Sequence, residues 1–149
     1  MRFFFEFLLP PVVDNAIRGM KFPVYLFMLI AIVSTVRSCI HIVAPDGGAG
    51  SIAGLDLSVG APGIIFSFAL WGSAQLIYAF VQLAVAFRYH SLVPFMYLLL
   101  FIEASLRMLV GHIKPVTFSH TPPGAYGNYV ILPLAALMLV LSFITWHRT

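Results

Sequence analysis

The sequence predicts an all-α fold, a bundle of four transmembrane helices preceded by a short interfacial N-terminal segment. Hydrophobic residues make up 61% of the 149-residue chain, only 9% of it is charged, and its mean hydropathy is +1.00. Soluble domains are about 45–50% apolar and about 25% charged. Four apolar stretches are long enough to cross a bilayer, which needs about 20 residues per helix. The composition therefore excludes a soluble globular domain, a disordered tail and a nucleic-acid-binding module.

The N-terminal segment, residues 3–9, is strongly aromatic but too short to cross a bilayer, and Pro10 and Pro11 follow it directly. A cleaved signal peptide needs an uninterrupted apolar core, which Glu6 and the prolines disrupt. Because aromatic side chains favour the headgroup region, we expect this segment to lie along the membrane interface.

Four spans follow within a single domain covering residues 1–149. They lie at about residues 22–43, 63–87, 92–113 and 129–146. Turn-forming residues separate them, and residues 121–124 (Thr-Pro-Pro-Gly) are assigned to the third connection. The reversal at residues 88–91 is so short that the second and third spans are expected to be antiparallel neighbours.

Basic residues outside the spans are distributed unequally between the two sides of the membrane. One side has only Lys114, and the other collects Arg2, Arg18, Lys21, Arg88 and Arg148. An excess of Lys and Arg marks the cytoplasmic side. We therefore expect a multi-pass membrane protein with both termini in the cytoplasm.

Three charged residues lie inside the predicted spans, although each charge costs about 2.5–3.5 kcal/mol at the centre of a membrane helix. They are Arg37, Glu103 and Arg107. Glu103 and Arg107 are four residues apart, with the acid first, which favours an ion pair along one helix. Polar neighbours share a helical face with these charges in the first span, namely Ser34, Ser38 and His41. A second stripe runs along the second span and consists of Ser67, Trp71, Gln75, Tyr78 and Gln82.

The depths of these residues agree across three spans. At about 1.5 Å of rise per residue, Arg37, Arg107 and Trp71 lie roughly 22 Å from the cytoplasmic side, and Glu103 and Gln75 roughly 16 Å. The fourth span has no comparable stripe. Lipid cannot solvate these groups, so we expect them to face one another or a pocket in the outer half of the bilayer.

Two interpretations of this cluster stay open at this point. In one, the polar groups only satisfy each other, with Arg107 paired to Glu103 and Arg37 bonded to Gln75 or backbone carbonyls. In the other, a guanidinium is free to bind an anionic ligand head, which Arg holds in a bidentate grip. The predicted ligand-binding residues are Arg37, Trp71, Gln75, Glu103 and Arg107. The predicted rim consists of Ser34, Ser38, His41, Asp56 and Tyr78.

Cofactor signals are weak in this chain. His41 and His112 end the first and third spans at similar depth and are candidate haem ligands, but no carboxylate or cysteine stands beside them at a metal-ligand spacing. We expect no metal site and no evident cofactor, with quinone or haem as alternatives. The glycine-rich residues 47–54 lack the Lys-Ser/Thr pair of a phosphate-binding loop, so we interpret them as a surface loop.

The chain also resembles small bacterial four-helix membrane proteins of the DoxX-like group. The residues that carry this resemblance are Trp71, Gly72, Gln75, Leu76, Arg88, Tyr89, Pro94, Glu103, Arg107, Gly111, Lys114 and Pro115. The resemblance implies a bacterial inner-membrane location and a lipid- or quinone-linked role, and it carries over no catalytic residue.

These observations predict a non-enzymatic or accessory membrane protein whose pocket accepts an amphipathic or anionic small molecule or a lipid head. One alternative is the membrane subunit of a quinone-linked oxidoreductase, in which Glu103 relays a proton. Another is a structural or assembly subunit of a larger membrane complex. The expected partners are the lipid bilayer, an amphipathic ligand, and a second copy of the chain or a partner membrane subunit, but no nucleic acid.

Overall fold

The computed structural model describes residues 2–144 and is all-α, with no β-strand in that part of the chain. Its helices, numbered in chain order, are α1 Arg2–Leu8, α2 Phe22–Val43, α3 Ala61–Arg88, α4 Val93–Ile113 and α5 Pro123–Phe143. The last four are long and apolar enough to cross a bilayer, as in a multi-pass membrane protein. The predicted fold class is confirmed.

A proline opens each of the four long helices, at its first or second position. These prolines are Pro23, Pro62, Pro94 and Pro123. Proline is favoured there because the first N–H groups of a helix have no intrahelical partner and its fixed φ already suits a helix. The predicted bounds of the first span agree with α2, and those of the next two differ from α3 and α4 by one or two residues.

The start of the fourth span was predicted wrongly. The helix begins at Pro123 rather than near Tyr129. The proline pair Pro122-Pro123 was assigned to the connection, although a proline suits the first position of a helix as well as a turn. The helix ends at Phe143, and the predicted end near Trp146 lies outside the described residues, as does Arg148.

The four long helices form two hairpin pairs. Helix α2 packs along α3, and α4 packs along α5, whereas contacts between the two pairs are few. Tyr89 and a 3₁₀ turn, His90–Leu92, join the pairs, so the predicted short reversal is present, but the expectation that the second and third spans are neighbours is wrong. The helices α3 and α4 are thus consecutive but make little direct contact, because α3 packs mainly against α2.

The hydrophobic core lies at the turn end of the bundle, the end that carries His90–Leu92. It is built from the first turns of α2 and α4 and the last turns of α3 and α5. Phe27 packs edge-on against Tyr97 at 5.6 Å between ring centroids, and the Tyr97 hydroxyl donates a hydrogen bond of 2.7 Å to the Pro23 carbonyl. This packing holds the two pairs together at the turn end.

The N-terminal segment and the chain that follows it, up to α2, pack against the turn end of the bundle. The Asp14 backbone N–H donates to Ser91 Oγ at 3.0 Å, and the Ser91 hydroxyl donates back to the Asp14 carbonyl at 2.9 Å. Phe7 of α1 stacks on Phe143 of α5 with 4.3 Å between ring centroids. The segment is therefore attached to the bundle, and its location at the membrane interface stays a prediction.

The opposite, loop end of the bundle is covered by residues 44–60, which we call the loop cap. Asp46 organises it, because the carboxylate accepts hydrogen bonds from the backbone N–H groups of Gly48 at 2.8 Å and Ser51 at 2.7 Å. These bonds lower the pKa of Asp46 to about 2. The cap is also tied to the α4–α5 connection, where the Ser119 N–H donates to the Gly54 carbonyl at 2.9 Å. The glycine-rich stretch is thus a hydrogen-bonded cap between both hairpin pairs.

Candidate functional site

A cavity of about 430 Å³ lies between the two hairpin pairs, and we call it the central cavity. All four long helices contribute to it. Its lining residues are Leu29, Ile30, Val33, Ser34 and Arg37 of α2, Gln75 and Gln82 of α3, Leu100, Glu103 and Arg107 of α4, and Pro123, Gly124, Gly127, Asn128 and Ile131 of α5. The charged residues of the predicted spans thus meet in one space.

Arg37 extends from α2 into the central cavity. Its guanidinium Nη2 donates a long hydrogen bond of 3.5 Å to Gln75 Oε1 of α3. The guanidinium carbon Cζ also lies 5.1 Å from the centroid of the Trp71 ring, within the range of a cation–π interaction. Among the described residues no carboxylate lies within 4.0 Å of this guanidinium, so an amide and a ring solvate its charge without neutralising it.

Arg107 and Glu103 form the predicted ion pair along α4. Arg107 Nη2 lies 3.9 Å from Glu103 Oε1, and their side chains are 30% and 26% exposed. This separation is longer than the 2.7–2.9 Å of a strong charged hydrogen bond. Arg107 Nε is buried and has no hydrogen-bond partner in the described structure. The pair therefore leaves donor capacity on Arg107 that the protein does not use.

His41 connects this cluster to the loop cap. Its Nδ1 lies 2.7 Å from the Gly47 carbonyl oxygen, and its ring centroid lies 5.0 Å from that of Trp71. Gly72 allows α3 to approach at this point, because a Cβ atom there would lie 2.6 Å from the Cβ of His41. His41 is buried and holds the cap against the helices, and through Trp71 it supports Arg37.

Four of the five predicted ligand-binding residues line the central cavity: Arg37, Gln75, Glu103 and Arg107. Trp71 does not line the cavity, but the Arg37 guanidinium lies over its ring. Of the predicted rim, only Ser34 lines the cavity.

The other rim residues have structural partners elsewhere. The Ser38 hydroxyl donates to the Ser34 carbonyl one turn back at 2.7 Å. Tyr78 packs against the hydrophobic core, and His41 lies beneath the cap. Asp56 accepts two hydrogen bonds of 2.9 Å from the backbone N–H and the hydroxyl of Ser58, which lower its pKa. Because its own turn holds the carboxylate, it forms no ion pair with Arg37 or Arg107.

The contribution of α5 to the central cavity was not predicted from the sequence. Gly124, Gly127, Asn128 and Ile131 follow the i, i+3, i+4, i+7 spacing of one helical face, and all four line the central cavity. Three of these residues precede the predicted start of the fourth span near Tyr129, so the spacing was not recognised. Gln82 was recognised as part of the α3 stripe but was not among the predicted binding residues.

A second space, the side cavity, lies between α4 and α5 near the loop end. It also measures about 430 Å³, and it is lined by Arg107, Met108, Gly111, His112, Ala125, Asn128 and Tyr129. Arg107 and Asn128 line both cavities and so stand between them. His112, the second candidate haem ligand, is exposed on this side cavity, whereas the Nδ1 of His41 is bonded under the cap. The described residues contain no group of three potential metal ligands.

Comparisons with known proteins give no match: no family model, no curated protein and no solved structure is similar to this chain. The resemblance to the DoxX-like group therefore stays a prediction.

Proposed function

We propose that this chain is a non-enzymatic membrane protein that binds the anionic head of an amphipathic small molecule or lipid in the central cavity. The observation that carries the proposal is the Arg37 guanidinium, which lines the cavity and lacks a carboxylate partner in the described structure. Two arginines and one glutamate line the space, so one positive charge is left over. An anionic head would neutralise that charge.

The cavity wall favours an amphipathic ligand over a small hydrophilic anion. Leu29 and Val33 line the cavity and are each 57% exposed, so its wall continues onto the outer surface of α2. In a bilayer that surface faces acyl chains. The charged head of a ligand can therefore bind between the arginines while its apolar tail extends out of the cavity into the lipid. A free anion would gain nothing from this apolar part of the wall.

We also propose that the loop end faces away from the cytoplasm in a bacterial inner membrane. Arg18, Lys21 and Arg88 belong to the turn end, whereas Lys114 belongs to the loop end. This distribution supports a cytoplasmic turn end. The central cavity would then lie in the outer half of the bilayer.

The test uses two probes that share a chain and differ in the sign of the head, dodecyl phosphate and dodecyltrimethylammonium. Thermal unfolding of the detergent-solubilised protein is followed with increasing probe. Dodecyl phosphate at one hundred times its Kd is expected to stabilise the fold by about 2.7 kcal/mol, and the cationic probe is expected to have no effect. The variant Arg37→Gln should weaken phosphate binding about tenfold or more, because it removes a charged hydrogen bond.

The matched control is Arg88→Gln, since Arg88 is exposed at the last residue of α3, outside the cavity lining. It is expected to bind dodecyl phosphate like the parent. Equal stabilisation by both probes, or equal binding by Arg37→Gln and the parent, would refute the proposal.

A further inference from the structure

Glu103 supplies the acidic group of the central cavity, and its ion pair with Arg107 leaves that group incompletely satisfied. Arg107 Nη2 lies 3.9 Å from Glu103 Oε1, which is beyond hydrogen-bond distance. Glu103 lines the central cavity but not the side cavity. A charge inside a membrane span is costly unless it is paired. The carboxylate therefore has room for a second, closer partner on the side of the central cavity.

The Glu103 carboxylate is also accessible to a ligand. Its side chain is 26% exposed. Within residues 2–144 no group donates a hydrogen bond to either carboxylate oxygen, and neither oxygen is one of the buried atoms that lack a partner. Both oxygens therefore have exposed surface. A carboxylate accepts hydrogen bonds and donates none, so the group that suits this position is a donor, best a positively charged one.

The charges that line the central cavity are two positive and one negative, on Arg37, Arg107 and Glu103. Arg37 lies near enough to the other two charges to interact with both of them through space. A head with a single anionic group neutralises the surplus positive charge but leaves Glu103 with only its long ion pair. A head with two anionic groups and one ammonium has the same net charge, and it offers a partner of opposite sign to each of the three residues.

We propose that the ligand head carries a primary ammonium beside two anionic groups, and that Glu103 accepts hydrogen bonds from this ammonium. The inference rests on the proposed function, in which the arginines bind the anionic part of an amphipath. The serine phosphodiester head of a lipid has this composition, with a phosphate, a carboxylate and an ammonium. A glycerol phosphodiester head lacks the ammonium, and an ethanolamine head lacks the second anionic group. Glu103 thus selects among anionic amphipaths that the arginines alone would accept equally.

The experiment compares three lipids with identical dioleoyl chains and different phosphodiester heads, namely serine, glycerol and ethanolamine. The serine and glycerol heads have the same net charge, so a difference between them does not arise from total charge. Affinities of the detergent-solubilised protein are measured by native mass spectrometry with increasing lipid. The serine lipid is expected to bind about tenfold more tightly than either of the other two, because only its head pairs with all three charged residues.

The variant Glu103→Gln removes the negative charge and keeps the size of the side chain. It is expected to prefer the serine lipid over the glycerol lipid by less than about twofold, since a neutral amide binds an ammonium more weakly than a carboxylate does. Asp56→Asn is the matched control, because it removes the same charge from the loop cap, outside the cavity lining, and it should keep the tenfold preference. The ranking of the lipids on the parent protein requires no variant, so the inference can be tested even if Glu103→Gln does not fold.

Equal affinity of the parent protein for the serine and glycerol lipids would overturn the inference, because the ammonium would then have no partner in the cavity. An ethanolamine lipid that binds as tightly as the serine lipid would also overturn it, since the second anionic group would be unused. A serine preference that persists in folded Glu103→Gln would contradict the role given to Glu103. These results differ from a failure of the proposed function, in which the two anionic lipids do not bind or bind Arg37→Gln as well as the parent.

Discussion

Replacing Gly72 by alanine tests how closely α2 and α3 must approach at His41. The added Cβ would lie 2.6 Å from the Cβ of His41 and 3.2 Å from the Ser38 carbonyl oxygen. Carbon atoms in ordinary contact are about 3.5–4.0 Å apart, so the helices would have to separate by roughly 1 Å. Overpacking of this kind costs about 1–3 kcal/mol. Alanine also favours a helix over glycine by about 1 kcal/mol, which offsets part of that cost.

Gly63→Ala is the matched control, because Gly63 lies in the same helix and a Cβ there would meet no atom within 4 Å. Both variants gain helix propensity, and Gly63, in the first turn of α3, gains less than Gly72 in the interior, so the difference between them is a lower bound on the packing cost. Reversible unfolding in mixed micelles, monitored by circular dichroism, should give a free energy of unfolding about 1–3 kcal/mol lower for Gly72→Ala than for Gly63→Ala. Equal stabilities would refute the close approach of α2 and α3 at this residue.

Three other predictions concern the core, the ion pair and the loop cap. Tyr97→Phe should lower the free energy of unfolding by about 1 kcal/mol, because it removes the hydrogen bond to the Pro23 carbonyl, and an unchanged denaturation curve would contradict this. A double-mutant cycle with Glu103→Gln and Arg107→Gln should give a coupling free energy below about 1 kcal/mol, since the ion pair is long and partly exposed. The pKa of Asp46 is lowered to about 2, so its contribution to the cap is complete above pH 4 and is lost as the pH falls from about 4 to 2. As the pH falls from about 4 to 2, the protection of the Gly48 and Ser51 amides against hydrogen exchange, relative to their intrinsic exchange rates, should decrease. Asp46→Asn should abolish this decrease.

Much of the bundle could be predicted because each relevant signal is local. Apolar length identifies the spans, and turn-forming residues separate them. The contact between Arg37 and Gln75 was also anticipated, since polar residues on facing helices at similar depth have few other partners in a membrane. The ion pair of Glu103 and Arg107 follows from their spacing alone.

The remaining features depend on how distant parts of the chain pack. The separation of the bundle into two hairpin pairs, and so the cavity between them, results from side-chain fit that hydropathy does not encode. The role of His41 depends on the conformation of the loop cap, which brings the Gly47 carbonyl back to the ring. Asn128 was missed for a simpler reason, because the start of α5 was placed too late.

Both interpretations of the polar cluster find support in this geometry. The contacts from Arg37 to Gln75 and from Arg107 to Glu103 form the expected internal network. They are long, at 3.5 Å and 3.9 Å, and they border a cavity of about 430 Å³. A network that served only to hold the helices together would gain more from short contacts in a closed core. This is the physical reason for preferring a ligand site.

The most direct test of the central claim is native mass spectrometry of the protein extracted from its host membrane in mild detergent, with no probe added. If the central cavity binds an anionic amphipath, the parent protein and Arg88→Gln should carry the same discrete adduct, and Arg37→Gln should lose it. A parent protein without an adduct, or an adduct equally abundant on folded Arg37→Gln, would contradict the account.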